Sequence, residues 1–537
     1  MFLNNTVLSI TLLLSALSAK LVFSTSWDDF LNQRTKYLRE EAMLSVGSMS
    51  FLNANESAVN DILMNYKTEE IQRGFRNISE FLPSSNFLRI SREMENRTMF
   101  KLLQLFPKGA ALHGHNSAMV SSEYLVKNLT YRENLYAKFD DDNENIVELR
   151  FLNSSDTTDW ISVETIRKNK GDDYDDWMIK QLTLHEAHAG LGVNEIWSRF
   201  QKLFSIIKPL IHYAPVWQDH IYQMLKEFHE DNVSYLEFRT SFPKIYYLNG
   251  TTLNATEVCG KFVEVLNNFK KDYPTFYGAK IIYARHRLIN NEKFLKHMET
   301  ARQLKQAFPD VIAGFDLVGQ EDMGEPLETF LDDLFKLKNE INFFFHAGET
   351  KWNGPTTIKN LVDAVLLGTK RIGHGYAITK HPKVATMVKK YKIGIEVCPI
   401  SNQVLGLVGD LRNHPLSSLL MDNYPVVISS DDPGYWGAKG VTYDWYETFI
   451  GIAAFNQDVH LLRKLALNSI EQSSLTDDEK QELKEDWKKR WNSYIELILK
   501  TYRSDSNAIE TSEDEGDEVT VLMLAPDHAY DFSPFNF

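Results

Sequence analysis

From Pro107 onward, short apolar runs recur along the chain with amphipathic, helix-spaced stretches between them. The runs are GAALHGH from Gly109, VSYLEFR from Val233, AKIIYAR from Ala279, VIAGFDLVG from Val311, NFFFHAGE from Asn342, RIGHG from Arg371, IGIEVCP from Ile393 and VVISSDDP from Val426. Each is rich in aliphatic and aromatic residues and leaves room for a helix before the next, as parallel β/α units require. The fold class this predicts is α/β, a (β/α)8 barrel over 107–124 and 185–503. The runs are read as apolar, with polar chemistry confined to their C-terminal ends.

Two segments break the pattern. Over 25–106 the chain is charged and amphipathic, with helical spacing in WDDFLNQRTKYLREEAML and ESAVNDILMNYKTEEIQRGFR, which predicts a helical N-terminal domain. The stretch 125–184 is polar and acidic with short alternating runs, so it reads as a small β-rich insertion after the first barrel strand. Residues 504–537 form an acidic tail that ends in aromatic residues.

In a barrel of this kind chemistry collects at the C-terminal ends of the strands. His113 and His115 end the first run. Their spacing points both imidazoles the same way from an extended strand. A lone pair of this sort is more often ordinary packing, but other strand ends supply partners: Gly319, His346 with Glu349, His374, and Asp431 with Asp432. Three imidazoles and a carboxylate, from His113, His115, His346 and Asp431, can hold one divalent ion, and zinc suits that mixture of nitrogen and oxygen donors. An ion so held makes hydroxide available near neutrality, so the predicted reaction class is hydrolysis.

Glu349 could exchange a proton above the metal, or serve as a helix N-terminal carboxylate. His374 could orient or deprotonate a metal-bound water, or be a satisfied structural histidine. Asp432 faces away from Asp431 and is expected to accept a hydrogen bond from substrate. Two adjacent buried carboxylates are costly without a cation or a protonated partner. Gly319 is expected to let a flat ligand approach the backbone. His185 and His188 in LHEAHAG lack the H-E-x-x-H spacing and are read as surface-helix residues.

Composition narrows the setting. With 537 residues and 43% hydrophobic content the chain can bury a large core. A net charge of -15 argues against non-specific binding to nucleic acid or anionic membranes. The apolar stretch Val7 to Leu17 suits a signal peptide over 1–24 and is too short to span a bilayer. Sequons at Asn55, Asn77, Asn96, Asn128, Asn153, Asn232, Asn249 and Asn254 support a secreted, extracellular glycoprotein, with Asn232 expected to stay unmodified beside its strand. Cys259 and Cys398 offer no disulfide framework, and Cys398 is read as a buried thiol.

The segments PKGAALHGH, GFDLVGQED, FFFHAGET, RIGHGYAITKHP, IEVCPISNQVLGLVGDLRNHP and VVISSDDPGYWGAKGVTYDWYE resemble the secreted, growth-factor type of adenosine deaminase (the adenosine deaminase-related growth factor, or adenosine deaminase 2, type). The resemblance covers nearly the whole mature chain. It implies one zinc ion per subunit on His113, His115, His346 and Asp431. Glu349 would be the proton donor to the purine and His374 would activate the water. Asp432 would face N7, the backbone of Gly319 would meet N3, and Trp197 in NEIWSRF would lie near the ribose. The implied substrates are adenosine and 2'-deoxyadenosine, deaminated at C6 to the inosines and ammonia. The N-terminal domain would make a homodimer, and the insertion would bind a cell-surface receptor or glycosaminoglycan.

The chain departs from that pattern at Asn116, where the family has an aspartate that contacts the ribose. Chemistry at the metal is expected to survive while affinity for adenosine falls. The insertion also lacks a cysteine pair found in some members. A different reading is a growth-factor-like binding protein with weak or vestigial catalysis. An AMP deaminase would need basic side chains for the phosphate and a cytosolic setting, against which the signal segment and acidic balance count.

Overall fold

The computed structural model describes residues 26–142, 144–153 and 157–509, so the signal segment and the tail from 510 lie outside it. All eight apolar runs form parallel strands: β1 (Gly109–Ala111), β2 (Val233–Thr240), β3 (Gly278–His286), β4 (Ile312–Val318), β5 (His346–Ala347), β6 (Arg371–His374), β7 (Gly394–Val397) and β8 (Val426–Ile428). They are hydrogen-bonded in the orders β1-β2-β3-β4 and β5-β6-β7-β8. Parallel bridges join Phe315 to Phe343 at one seam and Gly114 to Asp431 at the other, which closes the barrel. Helices cover the outside, so β2 is buried along its whole length.

The expectation that these runs are apolar throughout fails at five buried positions, besides the half-buried Lys280 and Arg285. Glu237, Arg239, Asp316, Arg371 and Glu396 lie within the strands and are almost fully buried. Arg371 bridges Glu237 (2.7 Å) and Glu396 (2.5 Å), and Arg239 bridges Glu396 (2.8 Å) and Asp316 (2.8 Å). Charges can be buried in this way because each is paired and hydrogen-bonded.

Helix α1 (Trp27–Leu44) buries no side chain. Helix α2 (Ala54–Arg76) starts in a capping box between Asn53 and Glu56. It is fastened to the barrel by Lys67, whose fully buried ammonium donates to the carbonyls of Ala454 (2.9 Å) and Gln457 (2.6 Å). The polar segment 125–184 contains a three-stranded antiparallel sheet of Leu135–Phe139, Ile146–Phe151 and Ile161–Ser162, together with helices Val163–Lys170 and Tyr174–Leu182. Helix α3 (Val193–Ile211) follows it and walls the barrel mouth. Helix α4 (Asp477–Ile509) packs against α2 and continues past Ser504 into the region read from sequence as tail.

Candidate active site

The strand ends bring the predicted residues together. Ligand atoms of His113, His115 and His346 lie within 4.8 Å of one another, as do those of His115, Asp431 and Asp432, and those of His346, Glu349 and His374. Asp431 Oδ1 is 3.3 Å from His113 Nε2 and 3.2 Å from His115 Nε2. Both His113 Nε2 and Asp431 Oδ1 are buried with no hydrogen-bond partner. Orphaned polar atoms of this kind are rare in a folded interior, and here they face one another across a space framed by three imidazoles. The donor set therefore fits a divalent ion of the zinc type.

The backbone takes an uncommon path to build this arrangement. His374 and Asp431 have φ of 58° and 60°, in the left-handed region that non-glycine residues rarely adopt. Each turns the chain sharply at the strand end so that its side chain faces the barrel axis.

The buried charges inside the strands orient these imidazoles. Glu396 Oε2 accepts from His113 Nδ1 (2.6 Å), and Asp316 Oδ2 accepts from His346 Nδ1 (2.5 Å). A proton held on Nδ1 leaves Nε2 free to bind a metal, the usual role of a carboxylate behind a ligand histidine. Burial opposes the charge on both acids, yet Arg239 and Arg371 hold Glu396 well below the usual carboxylate range, and His346 and Arg239 do the same for Asp316. Burial in turn pushes His346 down to about 3, so it stays neutral as a ligand must.

Glu349 is buried, and burial followed by the charges of Asp431 and Glu321 pushes its carboxyl well above the ordinary value. That environment favours the protonated carboxyl over the carboxylate. The turn that presents it is held by Glu321, which accepts from the backbone N–H groups of Gly348 (3.1 Å) and Glu349 (2.6 Å). Burial and the adjacent Asp431 push Asp432 up as well.

His374 Nε2 lies 3.5 Å from Glu349 Oε1 and 3.7 Å from Asp431 Oδ2. Its protonation pattern follows from a chain of hydrogen bonds that starts at a backbone donor. The Leu416 N–H donates to His414 Nδ1 (3.0 Å), so His414 Nε2 carries the proton and donates to Asn402 Oδ1 (3.0 Å). The Asn402 amide then donates to His374 Nδ1 (3.1 Å), which leaves the proton of neutral His374 on Nε2. Burial keeps that ring neutral. Of the two roles open to His374 from sequence, the network favours orienting a water by donation over initial deprotonation.

Asn116 is buried, with its Nδ2 3.4 Å from Thr240 Oγ1 and its Oδ1 unpartnered. Trp197, on α3, lines the same cavity, together with Asp432 and Gly319. Gly319 has φ +103°, and a Cβ there would come within 2.6 Å of the His286 ring, so local geometry alone demands glycine. Cys398 is buried as a thiol, its ionisation opposed by burial and by the neighbouring acids. His185 and His188 sit on a single 3-10 turn rather than a surface helix, half-buried against each other.

Sequence reading missed Asp316, Glu396, Arg239, Arg371, Glu321, Asn402 and His414. The charged residues left a visible signal, since each interrupts or directly follows an apolar run that has no reason to tolerate it. Asn402 and His414 left none, because they follow a strand in helical and turn segments with no diagnostic spacing.

Residues 183–490 match the family model described as "Adenosine deaminase", and residues 8–103 match "Adenosine/AMP deaminase N-terminal". The chain is 44% identical over 481 residues to a protein from Phlebotomus duboscqi named adenosine deaminase, covering 88% of this chain and 93% of that one. It is 40% identical over 475 residues to human adenosine deaminase 2, covering 86% and 92%. A zinc-bound amidohydrolase from Burkholderia ambifaria shares the fold at TM-score 0.53 and 17% identity, covering 75% of this chain and 94% of that one. The chain belongs to the adenosine deaminase family, among relatives of the adenosine deaminase 2 type.

Proposed function

We propose that this protein is a secreted, zinc-dependent adenosine deaminase that converts adenosine and 2'-deoxyadenosine, with water, to the corresponding inosines and ammonia. The observation that carries this reading is the convergence of His113, His115, His346 and Asp431 beside the buried carboxyl of Glu349. Those four residues would hold the ion, which when bound lowers the pKa of a water toward neutrality. Glu349 holds its proton where it can be passed to N1 of the purine, drawing electron density from C6. His374 would present Nε2–H to the reacting oxygen, and Asp432 would meet the N7 side. Trp197 and Asn116 would lie against the ribose. Membership of the adenosine deaminase family supports this substrate class.

Secretion is supported by the apolar N-terminal stretch and the surface position of the sequons. Asn55, Asn77, Asn96, Asn128, Asn153, Asn249 and Asn254 are exposed, while Asn232 is half-buried. Asn232 also donates its amide to the Gln104 carbonyl (2.9 Å), which supports its remaining unmodified. Homodimerisation is supported by the unburied face of α1. For the insertion, its acidic runs suit a receptor protein better than an anionic glycosaminoglycan.

The test is a deamination assay on purified protein beside Asn116→Asp and Glu349→Gln. Turnover is expected in the wild type, lost on chelation and restored by zinc. Asn116→Asp should lower KM, and Glu349→Gln should cut turnover by about 100-fold or more with metal content unchanged. No turnover at full zinc occupancy would discard the enzyme in favour of a binding protein.

A further inference from the structure

A cavity lies above the metal-ligand cluster, lined by mixed polar and apolar side chains, as small-molecule sites are. His346, His374, Asp431 and Glu349 are its buried lining, while Lys208 on α3 and His286 at the end of β3 are exposed and mark its mouth. Two cations stand on that mouth. Lys208 is exposed on the last turn of α3, with Nζ 4.7 Å from the centre of the Phe204 ring, and Arg285 is half-buried with Nη1 donating to the Ser241 carbonyl (3.3 Å). Among the described residues no carboxylate lies within ion-pair distance of either. Two cations at the entrance of one cavity, with Asp432 deeper in the same cavity as the acid whose charge Lys208 feels, make a local positive site on a chain of net charge -15. His212 and His286 flank them as further lining residues, the first pushed down by burial to about 3 and the second also lowered, so both are neutral hydrogen-bonding groups there.

The proposed deamination fixes which way a ligand must lie. If C6 of the purine is at the floor, the substituent on N9 has only the mouth to enter, and the 5' end of the sugar is its outermost part. Lys and Arg side chains recognise phosphate at such positions by charge and by paired N–H donors. Asn116 places an uncharged amide on the same cavity wall, where a carboxylate would repel a phosphate. We infer that the cavity mouth is a phosphate subsite formed by Lys208 and Arg285, and that the protein also deaminates nucleoside 5'-monophosphates. The reaction adds water at C6 of AMP and releases ammonia, giving IMP with the phosphate ester intact.

This inference rests on the deaminase reading, and the experiment separates the two. The full-length zinc-loaded protein is given adenosine and AMP in parallel, with products resolved by chromatography and inorganic phosphate added as a competitor. IMP is expected from AMP, with phosphate inhibiting AMP turnover more strongly than adenosine turnover. Lys208→Gln and Arg285→Gln should each lower the AMP-to-adenosine ratio of kcat/KM by about 10-fold or more, the loss of one charge-assisted contact. Adenosine turnover without IMP formation and without inhibition by AMP in millimolar excess overturns the subsite while leaving the deaminase intact. Inosine as the sole product from AMP, or a ratio unmoved by both substitutions, also overturns it. No turnover of adenosine at full zinc occupancy overturns both.

Discussion

Asn402 touches no reacting atom in the proposed chemistry, yet it decides which nitrogen of His374 carries the proton. Its amide is fixed by His414, and His414 by the backbone N–H of Leu416. Replacing Asn402 with Ala should lower kcat by about 10- to 100-fold with KM and zinc content little changed, as for other groups that orient a site histidine. Asn402→Asp gives the sharper test. An aspartate presents acceptors to both histidines and would move the His374 proton to Nδ1, so this near-isosteric change should be at least as damaging as the alanine. Nitrogen chemical shifts of labelled imidazoles report the tautomer directly. If Asn402→Asp were active and its His374 still carried the proton on Nε2, the relay would have only a packing role. At this scale the residues at strand ends were legible in the sequence because histidines and acids rarely end an apolar run without a purpose. The relay was not legible, since its members meet only when the chain after β7 folds back over the barrel mouth.

All eight barrel strands were visible as apolar runs, because a strand covered on both faces has little use for alternation. The charges within them were passed over, although Glu237, Asp316 and Glu396 are the positions where an outward-facing helix layer cannot explain a polar side chain. Glu396 joins His113 to Arg239 and Arg371, Asp316 joins His346 to Arg239, and Glu237 pairs with Arg371. The packing of α2 shows a second use of a buried acid. Glu70 accepts a hydrogen bond from Tyr446, and burial pushes its carboxyl up to about 7 against the opposing pull of that bond and of Arg97 and Arg73. Below about pH 4.5 the folded and unfolded chains both hold this proton. Between there and pH 7 the unfolded chain releases it first, so the folded state loses stability as pH rises. Glu70→Gln keeps the acceptor without the charge. Its melting temperature should match the wild type at pH 4 and exceed it at pH 8, by an amount equivalent to on the order of 2 kcal/mol. A difference independent of pH would mean that Glu70 is not the titrating group.

For the molecule as a whole, the feature that a single chain leaves unresolved is α1. An isolated helix of its length is marginal in water, and stability normally comes from burying one face. Yet it buries no side chain among the described residues, and Trp27, Phe30, Leu31, Tyr37, Leu38 and Leu44 are all exposed. Phe30, Tyr37 and Leu44 recur every seven residues, with Leu31 and Leu38 beside them, which is the spacing of a helix that packs along another helix. The helical arm was plain from sequence periodicity. That its apolar face has no cover among the described residues could be learned only from the fold, because periodicity shows that a face is apolar and not what covers it. Burying each such side chain is worth about 1.5–3 kcal/mol, so a second copy of α1 would supply enough to offset association. Sedimentation of the full-length protein should therefore give twice the chain mass, and Phe30→Glu with Leu38→Glu should shift it to a single chain whose barrel keeps its melting transition. A monomeric wild type would remove the dimer from the proposed function, and a dimer unmoved by the double substitution would place its interface on another surface.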